Sequence, residues 1–505
     1  MTRTLDGTPA PVVKTASGTV RGGIDGTAAV FKGVPFAAPP FGAGRLRAPL
    51  PPEPWDGVRD AVAFGPRPPQ SGAVFGMPSW TADEGLDCLT VNVWTPDPGG
   101  SGLPVMVWLH GGAYMAGFSG QADYDGALLA GAGVVVVTFN YRVGFEGFGT
   151  LAGAPANRGL LDQVAALRWV RDNIAAFGGD PDAVTVFGES AGAGSIASLL
   201  AMPSARGLFR RAVAQSVPGT FFSAGLAARL GAGIAGELGR AATLDDLEGT
   251  PPEDLLGAAD AFSATMRDDF DTWGPVASTA VAFSPVVDGE TLPETPWRAV
   301  AAGAARDIDL IAGFNRDEYR LFMVMGGLFG KITGERLAVT AEAIAPAGAA
   351  AAYRSAHPGA GADDLYALIC SDWLFRMPSA HLATAQAEAG GTAFAYELTW
   401  PSPAMDGALG ACHGLDVPLT FGNLDAGIAA LAIGSPPPEE AAALSERIRR
   451  AWTAFAATGD PGWPTHGPDP ETATTHVLDV APHDVTGAES FSRRLWAAHR
   501  FDPLD

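Results

Sequence analysis

Between residues 88 and 187 the apolar positions fall into short, nearly continuous runs. Residues 88–96 read CLTVNVWTP, 104–112 PVMVWLHGG, 133–142 GVVVVTFNYR and 183–187 AVTVF. The second and third runs leave no polar face, as strands do when helices cover both sides of their sheet. Leu160, Val164, Leu167, Val170 and Ile174 recur at helical spacing in the stretch between. Gly178-Gly179 stops that helix and Pro181 follows. Strand, crossover helix, strand is the signature of a parallel α/β sheet. GTVRG and AAVFKGVPF near the start add short strands, and 309–315 and 392–400 return to strand patterning. Two Ala-rich stretches, about 224–270 and 335–390, predict helical insertions over one end of the sheet. AAALSERIRRAWTAFAATGDP is a late amphipathic helix, and GSPPPEE (434–440) reads as a surface loop. With no repeat and no linker, residues 1–505 are expected to form one large α/β domain, a central, mostly parallel sheet flanked by helices.

Composition narrows the function classes. Hydrophobic content of 47% with 17% charged residues is that of a globular chain. A formal charge of −23 repels phosphate backbones and anionic lipid, which argues against a nucleic-acid partner. No apolar window reaches the roughly 18 residues of a membrane span, and the first 20 residues lack the apolar core of a signal peptide. Cys88, Cys370 and Cys412 are far apart, odd in number and outside any C-x-x-C, so neither a thiolate metal site nor a disulfide framework is expected. These readings predict a cytoplasmic protein without metal or organic cofactor, a monomer by default.

The chemistry-bearing stretch is GESAGAG at 188–194. Gly188, Ser190 and Gly192 satisfy G-x-S-x-G, a weak pattern in a chain of 65 glycines. Its setting strengthens it: Ser190 lies between a buried strand and a helical stretch, where a sharp turn would lift its hydroxyl above the carboxyl edge of a sheet. HGGAYMAG (110–117) also follows a buried strand, and its small residues leave backbone N–H groups open for an oxyanion. Downstream, Asp317 and Glu318 lie just past a strand, and His413 sits on a loop after the strand at 392–400. Nucleophile, acid and base thus come in the chain order that α/β hydrolases use.

FKGVPF, LDCLTVNVWTP, HGGAYMAG, NYRVG, LDQVAALRWVRDNIAAFGGDP, FGESAGAGS, FSPVVDG and FNRDE together resemble the type-B carboxylesterases in order and spacing, from about residue 10 to 465. That resemblance implies an α/β-hydrolase fold and a serine esterase with no cofactor, acting on a small-molecule ester. It implies Ser190 as nucleophile, Glu318 as acid and His413 as base, with oxyanion donors at Gly112, Ala113 and Ala191. Glu318 is preferred to Asp317 because the family's N-x-D-E pattern places the acid last. Glu189 and Ser216 fall at supporting polar positions, while Tyr114, Leu321 and Phe322 are candidates to line the substrate pocket. The Gly-Gly-Ala loop further implies room for branched alcohols. One departure stands out: Pro68 replaces the cysteine that would pair with Cys88, so the family's first disulfide cannot form. An amidase, carbamate hydrolase or thioesterase would use the same residues, and a non-catalytic adhesion module would have lost the serine.

Overall fold

The computed structural model describes residues 10–505 apart from 73–77, 280, 428, 470 and 489. Part of the chain start read above for a leader (1–9) lies outside the described residues. The molecule is built on an eleven-stranded sheet. Its strands are β1 (Gly23–Asp25), β2 (Ala28–Pro35), β3 (Thr90–Thr95), β4 (Leu103–Leu109), β5 (Val135–Phe139), β6 (Gly179–Glu189), β7 (Arg211–Gln215), β8 (Asp309–Asn315), β9 (Ala393–Leu398), β10 (Thr474–Leu478) and β11 (His483–Thr486). In space they run β11-β10-β9-β8-β7-β6-β4-β5-β3-β2-β1. From β5 through β4 and β6 to β10 every pairing is parallel, and the antiparallel pairings lie at the two margins. A separate three-stranded sheet joins Val12–Lys14, Thr19–Arg21 and Val58–Asp60.

The apolar runs have a direct cause. Side chains alternate across a strand, and β4 sends Val105, Val107 and Leu109 into one apolar cluster and Met106 and Trp108 into another on the opposite face. Val135, Val137 and Phe139 of β5 share the first cluster, and Val136 the second. Helix α1 (Arg158–Asn173) connects the central strands and buries Leu160, Val164, Leu167 and Val170. A 3₁₀ turn, Ile174–Phe177, continues it to Gly178, whose φ of +88° ends it in the left-handed region. β6 then starts at Gly179, earlier than the apolar run suggests, because Asp180, Pro181 and Asp182 also extend along it. Asp162 of α1 receives a fork from Arg142, at 2.8 Å from Nε and 2.7 Å from Nη2, with both side chains fully buried.

Both Ala-rich stretches are helical. The first holds α2 (Ala224–Glu237) and α3 (Pro252–Arg267). The second holds Gly334–Ile344, Ala349–Ala356, α4 (Ala362–Ser371) and α5 (Met377–Glu388). Helix α5 differs from the expected insertion, since it packs on β8 and β9 as the crossover between those parallel strands. Alanine-rich composition reads alike in either role. All three cysteines are buried free thiols. Burial pushes each above its ordinary value, Cys412 to about 12. Among the described residues no helix is long and apolar enough to cross a membrane.

Candidate active site

β6 ends at Glu189 and a helix, Ala191–Ala201, begins one residue beyond Ser190. Ser190 turns the chain between them at φ 56°, ψ −122°, a backbone that costs a non-glycine residue on the order of 1–3 kcal/mol. The surroundings hold it there. Ser190 N–H donates to Gln215 O at 2.9 Å, and Gly194 N–H donates to Ser190 O at 2.9 Å. Gly188 and Gly192 have to be glycine because the end of β4 passes against them. A Cβ at Gly188 would stand 2.6 Å from Leu109 O, and one at Gly192 would collide with the same carbonyl.

Two loops deliver the other groups. The chain turns sharply after β8, and Glu318 swings back so that its Oε1 accepts from Asn315 N–H at 2.8 Å and from Ser216 Oγ at 2.6 Å. Its Oε2 lies 2.6 Å from His413 Nδ1, and His413 Nε2 lies 2.8 Å from Ser190 Oγ. Asp317 faces away, accepting from Ala411 N–H at 3.0 Å. Glu318 is fully buried and His413 9% exposed, so little water competes for these bonds. Ser216 also has a left-handed backbone, φ 60°, which turns its hydroxyl to Glu318.

Glu189 adds a second carboxyl. Its Oε1 lies 3.1 Å from His413 Nε2, the same nitrogen that faces Ser190. Burial pulls the His413 imidazole down, but Glu189 and Glu318 outweigh it and push His413 up to about 9. Burial pushes the Glu189 carboxyl up to about 8. The two groups therefore compete for one proton, and the charge of each depends on the other.

Gly112, Ala113 and Tyr114 take φ of +112°, +54° and +58°, a left-handed run that turns the loop after β4 toward Ser190. A Cβ at Gly111 would lie 3.3 Å from Ser190 Cβ, which shows how closely this loop approaches the serine. Among the described residues the N–H groups of Gly112, Ala113 and Ala191 donate to no protein acceptor. His110, held well below its ordinary value at about 4 by burial, is neutral, and its Nδ1 meets Gly111 O at 2.9 Å. Of the candidate pocket residues, Phe322 lies half-buried with its ring 5.2 Å from that of His413. Leu321 is half-buried against the apolar cluster that holds Trp400 and Leu415. Tyr114 packs in the core, its ring 4.8 Å from Phe148.

The sequence reading missed two groups. Asp416 accepts from Gln215 Nε2 and Tyr396 OH, both at 2.8 Å, and anchors the turn behind His413. Its spacing, three residues past His413, was the available signal. Phe375 stacks on His413 at 4.1 Å between ring centres, and nothing in DWLFR (372–376) announces that contact. Among the described residues no cluster of histidine, cysteine and carboxylate side chains has the makings of a metal site.

Comparison with known proteins places these motifs in context. The carboxylesterase family model matches residues 9–482. The chain is 39% identical over 481 residues to the para-nitrobenzyl esterase of Bacillus subtilis (strain 168), covering 93% of this chain and 94% of that protein. It is 35% identical to the phenmedipham hydrolase of Pseudarthrobacter oxydans over 91% of this chain and 93% of that one. A solved PNB esterase structure superposes with a TM-score of 0.84 at 37% identity, covering 96% of this chain and 99% of that chain.

Proposed function

This chain belongs to the carboxylesterase family and is a carboxylic ester hydrolase, and on that premise we propose that Ser190, His413 and Glu318 carry the reaction through an acyl-enzyme. The observation behind this reading is the unbroken line from Ser190 Oγ through both nitrogens of His413 to Glu318 Oε2, at 2.8 and 2.6 Å. Neutral His413 takes the Ser190 hydroxyl proton at Nε2 as Oγ bonds to the ester carbonyl carbon. Glu318, held by Ser216 and Asn315, keeps the Nδ1 proton in place and stabilises the imidazolium. The carbonyl oxygen becomes an oxyanion, and the N–H groups of Gly112, Ala113 and Ala191 are its donors. Collapse breaks the ester C–O bond, and His413 returns its proton to the leaving alkoxide. Water, deprotonated in turn by His413, then releases the acid and restores Ser190. The family's Gly-Gly-Ala loop adds an expectation for the alcohol side, that branched alcohols fit beside Gly112 and Ala113.

The test is direct. A fluorophosphonate should label the wild type at Ser190, and Ser190→Ala should abolish labelling while lowering kcat by roughly 10⁴–10⁶. A variant retaining a tenth of wild-type turnover would remove Ser190 from this role. Matched ester, thioester and amide substrates with one acyl group then rank the ester reading against amidase, carbamate hydrolase and thioesterase activity.

A further inference from the structure

Helices α4 and α5 are two parts of one rod interrupted by a wide turn. Over Asp372–Arg376 the hydrogen bonding lengthens, and Met377 N–H donates to Asp372 O five residues back. An inserted residue of this kind rotates the positions around it by about 100° relative to an unbroken α-helix, and such turns gather at functional sites. The turn is strongly anchored. Arg376 Nη1 donates to Asp372 Oδ1 at 2.7 Å with both side chains buried, and the Arg376 guanidinium lies 5.4 Å over the ring of Phe314 on β8. Tyr353 OH donates to Asp372 Oδ2 at 2.5 Å, and Gly219 N–H donates to Leu374 O at 2.8 Å. Tyr319 N–H, next to Glu318, donates to Ser371 Oγ at 3.0 Å.

Phe375 is the residue this turn presents to the site. Its ring centre is 4.1 Å from that of His413, with 27° between the planes, so the aromatic face covers the imidazole face. Phe322 lies 6.0 Å from Phe375 and nearly parallel to it. Phe375 is 3% exposed, and a cation over an aromatic face away from water is attracted by the ring quadrupole. We propose that Phe375 is a positioning residue whose π face fixes the plane of the His413 ring and stabilises the imidazolium that forms as Ser190 attacks. This rests on the reading of Ser190, His413 and Glu318 given above. The charged groups bearing on His413 are Glu318 and Glu189 at its two nitrogens, and Asp416 on the helix that follows it. All three are carboxyls; of the two aromatic rings near His413, Phe375 stacks on its face at 4.1 Å, whereas Phe322 is tilted at 5.2 Å.

The experiment weakens the ring quadrupole while keeping its shape, by placing 4-fluoro-, 3,5-difluoro- and pentafluorophenylalanine at position 375 through stop-codon suppression. Across the series kcat/KM for para-nitrophenyl acetate should fall stepwise, by about 3- to 30-fold at pentafluorophenylalanine. The acid limb of the pH profile should move to lower pH by a few tenths to about one unit, with KM within about twofold of wild type. Phe375→Leu should show the same two shifts. Side-chain packing alone would lower kcat without moving the limb. A flat fluorination series with an unmoved limb overturns the proposal even though the wild type hydrolyses esters. Wild-type hydrolysis that does not depend on Ser190 would instead fail the functional reading, and this proposal with it.

Discussion

At position 190 the backbone sits at φ 56°, and at position 189 a buried carboxyl touches the imidazole that the proposed mechanism makes the base. The second contact sets the pH behaviour. In the proposed mechanism His413 serves as base only when neutral, and Glu189 and Glu318 raise it above its ordinary value of about 6.5. Activity should therefore be low in acid and rise with pH as the coupled His413–Glu189 pair loses its proton, at an apparent value above about 6.5. Glu189→Gln removes one of the two carboxylates favouring the charged imidazole, so the rising limb of kcat/KM should move to lower pH. A limb that stayed in place would show that Glu189 is uncharged throughout the working range. At this scale the sequence was uneven in what it disclosed. Ser190 and the Asp317–Glu318 pair announced themselves by motif, and the family pattern chose between the two acids. Phe375 was invisible because its contact depends on one extra residue in a helical turn, which leaves no trace in hydrophobic periodicity.

The chain around the site is held by contacts both within single loops and between elements. The loop after β4 holds Gly112 and Ala113 by close backbone approach, with Met115 and Ala116 N–H groups donating to Gly112 O at 3.0 Å. Ala113→Val crowds that loop, and if the loop supplies oxyanion donors as proposed, losing one costs about 3–4 kcal/mol. If the donor is displaced, para-nitrophenyl acetate and tert-butyl acetate should both slow by about 10²–10³, whereas simple crowding should slow only the tertiary ester. Wild-type turnover of tert-butyl acetate, checked by gas chromatography, is expected to be slow but measurable. Helix α1 is locked to the chain after β5 by the buried Arg142–Asp162 fork. Asp162→Asn should leave a buried guanidinium unmatched and destabilise the fold by about 3–5 kcal/mol, read by denaturant unfolding. Strands β4, β5 and β8 and helix α1 were legible because two-faced burial and helical spacing leave strong patterns. The crossover role of α5 was not, because alanine carries no directional signal between a sheet face and an insertion.

Across the whole molecule the formal charge of −23 acts on what approaches the site. An anionic ester should meet a repulsive field that a neutral ester of the same shape does not. The kcat/KM ratio of neutral to carboxylate-bearing esters should therefore exceed one at about 10 mM salt and shrink toward its intrinsic value near 500 mM. Equal ratios at both salt concentrations would confine selectivity to contacts inside the site. The net charge was plain from composition, whereas the meeting of residues 190, 318 and 413 at one sheet edge depends on strand order, which composition does not encode. The three buried thiols carry a practical consequence on the same scale. Cys88, Cys370 and Cys412 are the only cysteines in the chain, and burial keeps all three from ionising. A single cysteine introduced on the surface would thus be the one nucleophilic sulfur open to maleimide at neutral pH, giving a fluorophore or a solid support one defined point of attachment without first stripping the native residues.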